Sequence, residues 1–105
     1  GRAMELYLAD QPVTAEAALS MGLISRVFPA AEFEERAMET ALRLAQGPTV
    51  AYGRVKALFD SGWQLGLEAQ LDQETDFIAD IALTQDFQEG IRAFSEKRRP
   101  GFQGK

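Results

Sequence analysis

The chain of 105 residues has no cysteine and no histidine. Without cysteine there is no disulfide framework and no thiolate chemistry, a composition that suits the cytoplasm. Without histidine the commonest general base and metal ligand are missing. Long apolar runs are missing as well: the longest are a few residues, against the ~20 that a membrane span requires, so no membrane partner is expected. Arg2 and Glu5 interrupt any apolar stretch at the start, so no secretory signal is visible. The chain also lacks a GxGxxG fingerprint, a P-loop, an HExxH pair and a GxSxG elbow.

What is present describes a soluble globular chain rather than a disordered one, with 46% hydrophobic and 26% charged residues. The length allows one domain at most, and a domain of this size buries only about 65% of its unfolded surface. A net charge of −5 argues against nucleic acid as a partner, because such binding depends on positive surface. The charge is unevenly spread. From Asp60 to Leu83 there are six acids and no Lys or Arg, whereas from Thr84 to Lys105 five basic residues outnumber three acids. The basic end is either an anion site or the fringe of positive charge that a helix dipole favours at its C-terminus.

Periodicity predicts helices almost throughout. A short helix over Ala3 to Leu8 is broken at Gln11-Pro12. Thr14 is an N-cap for a second, which Gly22 stops. Leu23 to Phe28 alternates weakly and is at most one short strand or an extended link. Phe33, Ala37, Met38, Ala41, Leu42 and Ala45 fall at helical spacing and predict about four turns. Gly47-Pro48 ends them, and Thr49 is placed to cap the next helix, whose apolar face is Ala51, Val55, Leu58 and Phe59. A long helix from Leu65 to Ala82 carries Leu67, Leu71, Ile78 and Ile81 on one stripe, together with Glu74. Thr84 or Asp86 caps the last, with Glu89 placed for a capping box and Phe87, Ile91 and Phe94 as its stripe.

Several of these stripes are wide, Phe77 lies off the main face of its helix, and Trp63 sits in a glycine-flanked turn. Two outcomes are open: burial against another domain or subunit, or a self-contained helical bundle. Asp72, Asp76 and Asp80 share one helical face, which reads either as a hard-cation site or as a solvated acidic surface; three carboxylates along one helix span too far to converge on an ion, so no metal is expected. Glu74 needs a partner on its apolar stripe, at a helix interface or in acid/base work.

The run GLISRVFP from Gly22 to Pro29 and the run DFQEGIRAFSEKRRPGF from Asp86 to Phe102 resemble the carboxy-terminal third of the enoyl-CoA hydratase/isomerase family, the crotonase superfamily. The resemblance extends from Gly1 to Lys105 in one register. Ala15-Glu16-Ala17-Ala18 leading to Gly22-Leu23-Ile24, Arg26-Val27 with Pro29, and Glu89-Gly90, Ala93-Phe94, Lys97-Arg98, Pro100 and Phe102 all fall in family order. Gln70-Leu71-Asp72 with Glu74 and the ending look most like the epoxyphenylacetyl-CoA isomerase branch.

The resemblance implies a mainly α fold, the helical region that follows a spiral of ββα units, and packing of subunits into a homotrimer or hexamer. It implies that the substrate is a coenzyme A thioester, that no cofactor is tightly bound, and that Phe94 and Lys97 contact CoA: Phe94 at the acyl or pantetheine end, Lys97 at the adenosine phosphate end. Three residues apart, the two would share a helical face. The family's oxyanion loops and acidic residues match positions upstream of Gly1, so this stretch is expected to hold no catalytic residue and to be inactive alone. Gly1 at the start agrees with a piece of a longer polypeptide; Met4 is the alternative start. The competing expectation is a free-standing helical interaction module that never meets CoA.

Overall fold

A computed structural model describes residues Gly1 to Lys105. It contains six α-helices: α1 (Arg2–Ala9), α2 (Ala15–Ser20), α3 (Phe33–Ala45), α4 (Thr49–Ser61), α5 (Leu67–Ala82) and α6 (Gln85–Ser95), with a short 3₁₀ turn at Ala30–Glu32 before α3. No strand forms. The link at 23–28 is irregular, because an isolated extended segment has no neighbouring ladder to join. No helix is long and apolar enough to cross a membrane. The chain divides into two compact units, Gly1–Arg36 and Ala37–Lys105, with the boundary inside α3.

In the first unit, Asp10 closes α1 in the left-handed conformation, and its N–H reaches the Leu6 carbonyl. Thr14 caps α2 by accepting from the Ala17 N–H at 3.2 Å, as its sequence position predicts. Gly22, at φ 76°, ends α2 in a Schellman motif: its N–H bonds the Leu19 carbonyl at 3.0 Å and the Leu23 N–H bonds the Ala18 carbonyl at 2.9 Å. Glycine meets the left-handed requirement there without a Cβ penalty.

In the second unit α4 packs on α5 and α5 on α6. Only part of the predicted stripes is half-buried here, Ala51 and Leu58 on α4 and Ile81 on α5. On α4 the half-buried positions are Ala51, Arg54, Ala57, Leu58 and Ser61, and on α5 they are Gln70, Gln73, Phe77, Ile81 and Ala82. The seam is therefore largely small and polar. Gln70 donates to the Leu58 carbonyl at 3.0 Å, Ser61 Oγ meets Gln73, and Arg54 lies 4.8 Å from the Phe77 ring centroid while pairing with Asp80 at 2.8 Å. Phe77, off the expected face, is on the packed one.

Five of the stripe residues of α4 and α5, Val55, Phe59, Leu67, Leu71 and Ile78, are exposed instead. So are Phe33, Met38 and Leu42 on α3, and Trp63 is 91% exposed in its turn. The accessible surface totals 8903 Å². A compact monomer of 11.6 kDa would expose roughly 5,800 Å², and two separately compact units roughly 7,000 Å². Large apolar side chains of α3, α4 and α5 contribute to this exposed surface.

Thr49 does not cap α4. Pro48 occupies the cap position without a side-chain bond, and α4 begins at Thr49 itself. The Thr49 hydroxyl instead abuts the C-terminal tail at Gly104, where a Cβ would lie 2.5 Å from Thr49 Oγ1.

Candidate functional site

The most fully buried side chains of the protein lie on α6, where Ala93 is 1% and Asp86 4% exposed. Asp86 is covered by the tail, residues 98–105, which folds back along the helix. Thr84 caps α6 by accepting from the Phe87 N–H at 3.1 Å, which settles the cap between the two candidates. Asp86 and Glu89 are thereby released from the expected capping box, and both serve the tail.

Asp86 accepts the Gln103 N–H on Oδ1 at 2.7 Å and the Gly104 N–H on Oδ2 at 2.8 Å, while its own N–H donates to the Lys105 carbonyl at 2.9 Å. Such bonds to an ionised carboxylate are short and about twice as strong as neutral ones. Phe102 packs beside Gly90, within an apolar recess of about 200 Å³ that also touches Val50, Ala51, Ile81 and Phe87.

Glu89 is gripped by Arg98 through both ends of the guanidinium, at 2.6 and 2.9 Å, and accepts the Gly101 N–H at 2.9 Å. Arg98 Nε also donates to Glu96 at 2.5 Å. The Arg98 bonds, then the Gly101 N–H, hold the Glu89 carboxyl down at about 2. The bonds to Glu89, then those to Glu96, raise the Arg98 guanidinium further above its already high value.

Helix α6 ends in the same motif as α2. The Lys97 N–H bonds the Phe94 carbonyl at 3.2 Å and the Arg98 N–H bonds the Ala93 carbonyl at 3.0 Å. The left-handed residue, however, is Lys97, at φ 53°, where α2 uses glycine. A side chain in that conformation costs about 1 kcal/mol. Lys97 consequently stands beyond the end of α6, and the helical spacing that would set it on one face with Phe94 does not apply. Both side chains are exposed, Phe94 to 87%. The Lys97 ammonium makes no hydrogen bond or ion pair.

Asp72 and Asp76 remain on an exposed face while Asp80 pairs with Arg54; nowhere do three acidic side chains gather as a metal site. Glu74, on its apolar stripe, lies beside Val55, Leu58, Phe59 and Gln70 along an open recess of about 320 Å³. The paired roles of Asp86 and Glu89 are absent from periodicity. Their only trace in the sequence is an acid nine residues ahead of Arg98, with a helix end between them.

The enoyl-CoA hydratase/isomerase family model matches residues 1–105. A Rhodobacter capsulatus protein described as a probable enoyl-CoA hydratase is 39% identical over 104 residues, 99% of this chain and 40% of its own length. The 1,2-epoxyphenylacetyl-CoA isomerase of Escherichia coli is 36% identical over 104 residues, again 99% of this chain and 40% of its own. In the crystal structure of an enoyl-CoA hydratase from Bacillus anthracis the same architecture recurs with a TM-score of 0.89 at 33% identity, covering 100% of this chain and 41% of that one. The chain thus spans about 40% of the length of the curated relatives it matches and has the helical carboxy-terminal part of the crotonase fold.

Proposed function

Because the chain belongs to the enoyl-CoA hydratase/isomerase family, we propose that it forms the helical part of a cytoplasmic enzyme acting on an acyl-CoA thioester, and that it supplies subunit packing and part of the CoA contact. The chemistry expected of the whole enzyme stabilises a thioester enolate with backbone N–H donors, and those donors are not among the residues here. Phe94 is assigned to the apolar arm of CoA and Lys97 to its adenosine phosphates. No resident cofactor is called for.

The observation that carries the assignment is the state of these two side chains. A phenylalanine exposed to 87% stands three residues from an exposed ammonium, and an open apolar side chain with an unengaged cation at one helix end suits a ligand with a hydrocarbon arm and a phosphorylated head. The exposed stripes of α3, α4 and α5 support assembly with further protein surface, in a homotrimer or hexamer, over a free-standing interaction module.

Titration of the whole polypeptide that carries these residues with CoA and with dephospho-CoA tests the assignment. Lys97→Glu is expected to weaken CoA at least about tenfold through charge reversal, and dephospho-CoA less. Equal loss for both ligands would remove Lys97 from the 3′-phosphate.

A further inference from the structure

Resting on the assignment of Lys97 to the CoA phosphate, we propose that Glu89, acting through Arg98, is a positioning residue that holds the backbone at Lys97 so that its ammonium is presented to the ligand.

The geometry is particular to this turn. Lys97 is flanked by Glu96 and Arg98, and Arg98 binds both Glu96, at 2.5 Å, and Glu89 one helical stretch back, at 2.6 and 2.9 Å. One guanidinium therefore bridges across Lys97 and ties the turn to the body of α6. The Gly101 N–H on Glu89, at 2.9 Å, ties the onward chain to the same carboxylate. Lys97 is held at φ 53° between two fixed neighbours, and its side chain takes no part in the bridge.

The bridge has a second consequence. Glu96 adjoins Lys97 in the chain and Glu89 meets the turn through Arg98, which engages both acids. Neither is left to neutralise the lysine. Without the bridge a left-handed lysine would relax toward the ordinary basins, and either acid could take up the ammonium. The sequence KRR thus divides its labour: Arg98 faces inward as a fork, where its planar geometry suits a bidentate carboxylate, while Lys97 faces out as a mobile point charge.

The test is the ratio of the dephospho-CoA to the CoA dissociation constant, measured in the whole polypeptide for Glu89→Gln, and for Arg98→Lys as a second way to remove the fork. Each is made with Lys97 present and on a Lys97→Gly background, where the turn keeps its conformation but has no ammonium. With Lys97 present, Glu89→Gln is expected to lower the ratio about two- to fivefold; on the Lys97→Gly background it should leave the ratio unchanged. A merely structural role would weaken both ligands alike. If either fork variant folds and leaves the ratio unchanged with Lys97 present, or lowers it equally in both backgrounds, positioning through Lys97 is overturned. If Lys97→Gly itself leaves the ratio unchanged, the phosphate assignment fails instead, so the two failures are told apart.

Discussion

The N–H of Gly104 donates to Oδ2 of Asp86 across 18 residues of chain, at 2.8 Å. Gly104 sits there at φ 72°, and a Cβ on it would overlap Thr49 Oγ1. The tail is thus held by a buried carboxylate on one side and pressed against the start of α4 on the other. Asp86→Ala removes two charge-assisted acceptors and leaves two N–H groups without partners, which should cost about 2–4 kcal/mol. Urea unfolding measures the loss, and trypsin should cut faster after Arg98, the Arg99–Pro100 bond being resistant. A variant that unfolds within about 0.5 kcal/mol of the parent would mean that the tail is held elsewhere.

At the other end of α6 the expected gain has the opposite sign. Lys97→Gly relieves the left-handed strain and should stabilise the protein by about 0.5–1 kcal/mol, seen as a higher urea midpoint, even as CoA binding weakens. Loss of stability on this substitution would mean that the lysine side chain contributes packing of its own.

Acid should loosen the tail in a defined window. The folded carboxyl of Glu89 is depressed from 4.5 to about 2, so between those values the unfolded chain binds more protons than the folded one and stability rises with pH. The contribution is fully present above about pH 4.5 and is lost as the pH falls through about 2. Glu89→Gln should flatten this part of the pH–stability curve. An unchanged slope would place the acid sensitivity in other carboxylates.

Exposed helix stripes predict the behaviour of the 105-residue chain on its own. It should bind the dye ANS and sediment above its monomer mass of 11.6 kDa as concentration rises. A dye-silent monomer at every concentration would favour the free-standing interaction module.

Helix number and order were legible in the sequence because they depend on local chemistry. Thr14 and Thr84 offer cap hydroxyls, Gly22 and Gly47-Pro48 stop helices, and each effect acts within a few residues. The family was legible in the same way, as motifs in order along the chain. The faces on which helices pack were legible only in part, at Ala51, Leu58 and Ile81. Val55, Phe59, Leu67 and Ile78 have the spacing of a core, yet the α4–α5 seam uses Arg54, Ser61, Gln70, Gln73 and Phe77. A hydrophobic stripe states that a surface seeks cover and is silent on which surface provides it.

The site divides along the same line. Residue order alone placed a capped helix with the stripe Phe87, Ile91 and Phe94 ahead of a basic run, Lys97, Arg98 and Arg99, and set Phe94 and Lys97 on one helical face. Only the tertiary structure decided that the tail folds back, because the reversal rests on contacts between residues 9 to 18 apart: Glu89 with Arg98 and Gly101, and Asp86 with Gln103 and Gly104. Those contacts turned an apparent capping box into a clasp and set Lys97 outside the helix. Carboxylates bind whichever donors the folded chain brings within 3 Å, and sequence spacing predicts such donors only where the backbone between them is regular.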